Sequence, residues 1–405
     1  MPFSVLLSMK EVLVIQGESA LSPVLSVMYA VLYSIKDVRI HTIVCGNMNI
    51  DVPEDKEFIK YYAVDSGWSR IINQTQRITK YDAKYIYDDL NIFLDSFFLL
   101  GYERRLLKLS RNIISNNNIS AVFSVMNPVS AHKVGVRISK EYPQIPYFQF
   151  WLDQFTGRRK HANSLIRKAL YNILENRKEA IEYKLLKSVD KFYMLPEVFV
   201  NDRIANCFRE KLVSFEIPYI KNRIVQSTTK DVVFAGFLGG SIRQPEPMLD
   251  VIISSLPHIE KDVCFHFYVN DPESLRHYEV ESSRRVLFHN YINREELEDK
   301  LSNALMLICI GNKGSDQMPS KTVEYVGYRK PILFFYAEDN DTSLRYFNYY
   351  PDVCKIDVRN KVEDNSQKMI DYMNKDHRQI SYEDLMGVKV FRESTPDYVR
   401  QIISF

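Results

Sequence analysis

The run Val232-Val233-Phe234-Ala235-Gly236-Phe237-Leu238-Gly239-Gly240-Ser241-Ile242-Arg243 decides how the chain is read. A short apolar segment of strand type stops abruptly at three glycines within five positions. The chain is otherwise glycine-poor, with 13 in 405 residues, against a usual frequency of about 7%. Glycine directly after a strand permits a tight turn and lets backbone N–H groups approach a ligand closely. Pro245 or Pro247 can then start a helix. Strand, glycine turn, cation and helix start together outline an anion site, in which Arg243 offers phosphate a fork of donors. A plain glycine turn beside a solvated arginine fits the same residues.

A second constellation lies downstream. The apolar run Ala304–Ile310 is followed by Gly311-Asn312-Lys313-Gly314-Ser315-Asp316-Gln317-Met318, and Pro319 then opens a helix. The first amides of a helix lack internal partners, so the N–H groups of Ser320, Lys321 and Thr322 are expected to be free for an anion. Glu324, one turn further in, is placed to accept hydrogen bonds from ribose hydroxyls. A first-turn glutamate that merely complements the helix dipole, and a solvated Lys321, are the plainer readings.

Both constellations belong to regular alternations of strand and helix patterns. In the second half the strands read as Val232–Ala235, Cys264–Val269, Val286–Phe288, Ala304–Ile310 and Pro331–Tyr336, with helices Pro247–Ser255, Glu295–Asn303 and Ser320–Tyr328 between them. The first half opens with the strand Glu11–Ile15, a turn at Gln16–Ser19, a helix from Pro23 to Ile35 and a strand Val38–Cys45. Strands at Ile119–Val125, Pro146–Trp151 and Lys191–Leu195 follow, with a long helix over Ala162–Ser188. The pattern loosens from about Asn201 to Lys230, as a linker would. Two successive beta-alpha arrays predict an α/β chain of two Rossmann-like parallel-sheet domains facing a central cleft.

The run from Asp231 to Pro331 resembles glycosyltransferase family 4 and its relatives, of the GT-B fold. Val233–Gly240 looks like that family's strand and glycine turn, with Arg243 near the place of its phosphate-binding arginine. Pro319–Pro331 is similar to the helix written Pro-Ser-Lys-x-x-Glu-Tyr-x-x-x-x-Lys-Pro. The family's paired carboxylates stand eight residues apart. Glu324 matches the second and Asp316 replaces the first, one methylene shorter. The lysine that many members carry just beyond the arginine has no counterpart in Gln244–Leu249.

The resemblance implies a retaining, metal-independent transfer of a sugar from a nucleoside-diphosphate sugar to an acceptor hydroxyl, with no cofactor. Arg243, Asp316 and Glu324 would be the catalytic set. Gly236, Gly239, Gly240, Gln317, Ser320, Lys321 and Thr322 would bind the donor. It also implies a domain organisation of 1–215 for the acceptor, 216–388 for the donor and 389–405 as a helix crossing back to the first domain. On the acceptor side the candidates are Gln16, Gly17, Asn127, His132 and Asp153, although a helix cap for Asn127 and a packing role for His132 are equally compatible with their positions.

Composition bounds the partners. The net charge of +2 gives no electrostatic ground for nucleic acid. No apolar run is long enough for a membrane span, and Met1–Met9 lacks the basic start of a secretory signal. Five scattered cysteines, never at metal spacing, suit free thiols in a reducing compartment, so a cytoplasmic setting is expected. Arg158, Arg159, Lys160, Arg167 and Lys168 interleave with Leu165, Ile166 and Leu170. That mixture suits either a solvated helix or peripheral contact with the inner membrane surface carrying a lipid-linked acceptor. The acceptor could equally be a glycan or a protein, as in surface polysaccharide assembly. Two rival readings remain: a non-catalytic relative serving as partner or regulator, and a nucleotide-sugar isomerase, for which no carboxylate–histidine pair is evident.

Overall fold

Each beta-alpha array folds into one wholly parallel sheet. The computed structural model describes residues 9–16, 23–35, 38–45, 58–64, 101–125, 129–152, 155, 165–223, 225–240, 242–314 and 317–403. Two units divide the chain, one made of Met1–Glu216 with Val399–Phe405 and the other of Ile217–Tyr398.

The first unit runs β1 (Lys10–Ile15), α1 (Pro23–Ser34), β2 (Val38–Cys45), β3 (Ile59–Val64), α2 (Gly101–Asn116), β4 (Ile119–Val125), α3 (Val129–Glu141), β5 (Tyr147–Trp151), α4 (Leu165–Lys187), β6 (Lys191–Met194) and β7 (Leu212–Ser214). The sheet order is β3-β2-β1-β4-β5-β6-β7. Every residue of β5, and Val12–Ile15 of β1, is buried. Burial on both faces is why these strands read as unbroken apolar runs rather than alternations. Helix α2 supplies an amphipathic cover, turning Leu106, Leu107, Ile113 and Ile114 inward.

The second unit runs β8 (Asp231–Ala235), α5 (Glu246–Ser255), β9 (Cys264–Tyr268), β10 (Val286–His289), α6 (Arg294–Asn303), β11 (Met306–Ile310), α7 (Ser320–Val326), β12 (Ile332–Tyr336), β13 (Val353–Asp357) and α8 (Val362–Met373). Its order is β10-β9-β8-β11-β12-β13, so the chain first builds outward on one side of β8 and then reverses to the other. That reversal is the doubly wound Rossmann order, whose ligand crevice opens beyond the carboxyl ends of the strands where the winding changes direction. In this sheet the place is between β8 and β11. The last helix, α9 (Pro396–Ile402), carries the chain into Val399–Phe405 of the first unit, where the Arg400 Nε–H donates to the Ser34 carbonyl at 2.8 Å.

Several elements differ from the sequence reading. The stretch read as a linker contains β7, a three-residue strand too short to show periodicity. Strands β3 and β13 and helices α2 and α8 extend the two arrays beyond what was expected. Among the described residues no helix is long and apolar enough to cross a membrane. Arg158, Arg159 and Lys160 lie outside the described residues, as do the side chains of Arg167 and Lys168.

Helix α3 approaches β5 at Gly135, where a methyl group would overlap the Tyr147 phenol. Tyr147 is fully buried, so its ring has no room to retreat. Gly135→Ala is therefore expected to destabilise the chain by about 1–3 kcal/mol through overpacking, read as a lower denaturation midpoint.

Candidate functional site

The crevice begins as a gap in the hydrogen-bond ladder. Strand β8 pairs with β9 along its whole length, from Asp231 to Ala235. With β11 it pairs only at Val232 and Val233, opposite Met306 and Leu307. Beyond Val233 the two strands separate, and the hydroxyl of Tyr325 from α7 enters between them. It accepts from the Ala235 N–H at 2.9 Å and donates to the Ala235 carbonyl at 3.2 Å. One buried phenol thus satisfies both backbone groups that the missing ladder would orphan.

The glycine turn leaves β8 immediately above this point. Gly239 and Gly240 have φ of 117° and 65°, the left-handed region where a side chain would be strained. The Gly239 N–H closes the turn on the Arg243 carbonyl at 2.8 Å, and the Leu238 N–H is held by Asn270 Oδ1 at 3.0 Å. The loop after β11 meets the turn directly. Arg243 Nε–H donates to Asn312 Oδ1 at 2.8 Å, and the Lys313 N–H donates to the Ile242 carbonyl at 3.0 Å. Asn312 is itself fixed on both sides. Its N–H reaches Asp341 Oδ2 at 3.0 Å, and its Nδ2–H reaches the Gln317 carbonyl at 2.8 Å.

Burial pulls the Arg243 pKa down and raises that of Asp341, but an arginine stays cationic at neutral pH. A cavity of about 230 Å³ opens on Arg243, Gln244, Gly311, Lys313 and Tyr336. A larger cavity of about 740 Å³ lies at the opposite, amino-terminal edge of this sheet, away from these groups.

Helix α7 begins with Pro319 as its cap residue and no side chain on its first amides. The Thr322 N–H closes on the Pro319 carbonyl at 2.9 Å, and the Thr322 hydroxyl is buried against Ser343 and Cys309. Thr322 is therefore not the free donor expected from its position, because the proline carbonyl turns back onto it. The amides of Ser320 and Lys321 find no such acceptor among the described residues.

Glu324 is 2% exposed and sits between two cations, Arg294 at 2.5 Å and Lys321 at 2.9 Å. Burial alone would raise its pKa, but the two cations outweigh it and hold the carboxyl at about 2. Lys321 is thereby a partner of Glu324 rather than a solvated helix lysine. Asp316 lies outside the described residues.

The first unit brings fewer of its candidates forward. Gln16 is fully buried at the end of β1, where its Nε2–H donates to Thr42 Oγ1 at 2.6 Å. It is an interior polar group rather than an exposed one, because Thr42 on the neighbouring strand β2 gives its amide a buried partner. Gly17, Asn127 and Asp153 lie outside the described residues. His132 is fully buried and tilted against Trp151, with its Nδ1 at 2.6 Å from Ser124 Oγ. Burial pushes its pKa down to about 3, so the ring is neutral. The Ser124 hydroxyl continues to Tyr147 at 2.7 Å, and Gln149 links Tyr147 to Trp151.

Four residues of this site carried no role in the sequence reading: Asn312, Tyr325, Asp341 and Arg294. The first two lie inside the loop and helix that follow β11. Asp341 and Arg294 act across 29 and 30 positions and leave no local pattern.

No protein-family model matches the chain, and no curated protein matches it. Solved structures do match its fold. The Candida albicans trehalose-6-phosphate phosphatase N-terminal domain aligns over 96% of this chain and 95% of its own, at 10% identity and a TM-score of 0.57. An E. coli trehalose-6-phosphate protein bound with UDP-2-fluoro glucose aligns over 97% of both chains, at 8% identity and a TM-score of 0.54. The glycotransferase of kitacinnamycin aligns over 97% of this chain and 98% of its own, at 14% identity and a TM-score of 0.52. With these neighbours and two wholly parallel sheets, the chain has the α/β fold of the GT-B type, built from two Rossmann-like domains.

The Glu324 ion pairs set a pH dependence. A carboxyl whose pKa falls on folding stabilises the fold fully above its ordinary value of 4.5, and loses that contribution as pH falls through about 2. Over that window the wild type should lose up to about 1.4 kcal/mol per pH unit more than Glu324→Gln, which has no such proton to take up. Denaturant midpoints measured across the acid range check it.

Proposed function

We propose that this chain is a retaining glycosyltransferase that uses a nucleoside-diphosphate sugar. The observation that carries the reading is the convergence of two loops at the strand reversal, where Asn312 fixes the Arg243 guanidinium. The glycine turn, Arg243 and the Ser320 and Lys321 amides are assigned to the diphosphate. Their positive ends would stabilise the charge that develops as the bond from sugar to phosphate breaks. Glu324, kept ionised by Arg294 and Lys321, is assigned to the ribose hydroxyls, and Gln317 with Asp316 to the sugar.

By the family resemblance, the acceptor oxygen bonds to the sugar while its proton passes to the departing phosphate. No protein nucleophile, metal or cofactor is assigned to that step. The first unit is assigned to the acceptor, a glycan, lipid-linked sugar or protein of surface polysaccharide or glycoconjugate assembly. Cys207, Cys264, Cys309 and Cys354 are free thiols, which supports a cytoplasmic setting. Contact with the inner membrane surface belongs to the same proposal.

One observation favours the rival reading of a non-catalytic relative. Glu324 already holds two cations, so a ribose must share or displace them. Calorimetry of the full chain with a panel of nucleoside diphosphates separates the two readings. The transferase should bind one of them and lose at least tenfold in affinity on Arg243→Ala. Glu324→Ala should raise the donor KM at least tenfold with a cooperative melt retained. Binding of no nucleotide, or turnover unchanged by Glu324→Ala, refutes the proposal.

A further inference from the structure

The 740 Å³ cavity of the second unit plays no part in the proposed transfer. It opens at the amino ends of β8, β11 and β12, and its volume falls within the roughly 300–1,000 Å³ usual for ligand pockets. Its walls include Ser227, Lys230, Glu260, Arg329, Lys330 and His377. Most charges around it are already matched. Lys230 meets Glu260 at 2.6 Å and Asp262 at 2.8 Å, and Lys375 meets Asp352 at 2.8 Å. Arg378 meets Asp384 at 3.2 Å, leaving Asp376 as a further acid on the wall.

Two adjacent cations break the pattern. Lys330 is 2% exposed, and its ammonium donates to Ser227 Oγ at 2.8 Å. No carboxylate pairs with it among the described residues, and burial alone pulls its pKa down to about 8. Arg329 is next to it in the chain, with a φ of 53°, a left-handed conformation that a non-glycine residue adopts at some cost. Its guanidinium donates to Asn222 Oδ1 at 3.2 Å and to the Arg223 carbonyl at 2.5 Å, again with no carboxylate partner among the described residues.

Keeping an ammonium buried without a counter-ion is unfavourable, and a strained backbone next to it adds to the cost. Elsewhere on the lining, the His377 ring is fixed by Asp352 through Nδ1 at 2.7 Å. The His377 Nε2 is buried and has no partner among the described residues.

We propose that this cavity is a second ligand site, for a small molecule bearing an oxyanionic group such as a phosphate ester. Lys330 and Arg329 supply the missing counter-charge and the Ser227 hydroxyl donates to the oxyanion, while His377 Nε2, whose ring proton sits on the Asp352 side, is left to accept from a ligand hydroxyl. The exposed Ser227 can swing aside, so its bond to the ammonium gives way to the anion. The site is separate from the Arg243 crevice and stands whether or not that crevice binds a nucleotide.

Since phosphate would also be drawn to Arg243, the test uses full-length Arg243→Ala protein, titrated by calorimetry with inorganic phosphate and with a hexose 6-phosphate. Saturable uptake of at least one probe is expected, weakened at least tenfold in Arg243→Ala/Lys330→Met. Absence of saturable uptake, or uptake unaffected by Lys330→Met, overturns the proposal. In phosphate-free buffer Lys330→Met should melt no lower than its parent, because it removes an unpaired buried charge. A clear drop in melting temperature would assign Lys330 a structural role and overturn the proposal as well. If that variant does not fold, the partly exposed Arg329→Gln takes its place, with at least threefold weaker uptake expected and unchanged uptake counting against the site.

Discussion

The second unit depends on a sheet that can part between two strands without orphaning its backbone. Leaving the Ala235 N–H and carbonyl unpaired in the interior would cost about 1–3 kcal/mol for each group. The Tyr325 hydroxyl removes that penalty by donating and accepting at once through a single atom. Strand β11 is then free to diverge after Leu307, and the loops beyond both strands have room to turn toward each other. The glycine turn, Arg243 and Asn312 lie in the loops beyond that divergence.

Helix α7 couples this backbone constraint to electrostatics. Tyr325 and Glu324 are neighbours in sequence and so lie about 100° apart around the helix. One side chain can enter the sheet while the other meets α6, whose first residue is Arg294. A carboxylate this deeply buried would take up a proton if left alone. Two cations keep it ionised, so at neutral pH it remains an acceptor held in a defined orientation. The same pairing makes it a structural element, and for that reason its proposed role toward a ribose has to be separated from its role in folding.

How much of this was legible in the sequence depended on the range of each interaction. The run from Val232 to Arg243 announced a strand and a turn because apolar residues and glycines act on their own backbone. Pro319 and Glu324 announced a helix start for the same reason. Tyr325 was visible as a residue but not as a wedge, since its partner lies 90 positions away. Asn312 and Asp341 form their link across 29 positions, and no local spacing encodes it. Strand β7 escaped because three residues cannot display a period. Gln16 misled because a polar residue ending an apolar run looks like the first residue of a loop, whereas Thr42 supplies it with an interior partner.

The cations of the second unit differ in whether a carboxylate or a neutral group meets them. Arg276 lies against Glu273, and Arg359 against Asp357 and Asp339, each cation matched by carboxylates at the surface. Such pairs are complete as they stand. At the carboxyl edge of the sheet the side-chain hydrogen-bond partner of Arg243 among the described residues is the neutral amide of Asn312, which orients a guanidinium without cancelling its charge. At the amino edge the ammonium of Lys330 has, among the described residues, the neutral hydroxyl of Ser227 as its hydrogen-bond partner. Both are partly or wholly desolvated cations given a dipole where a carboxylate would have been the more stable choice. A protein selected for stability alone would have replaced or paired such groups. That shared arrangement, a cation oriented by a neutral dipole at each end of one sheet, is what the two proposed ligand sites rest on.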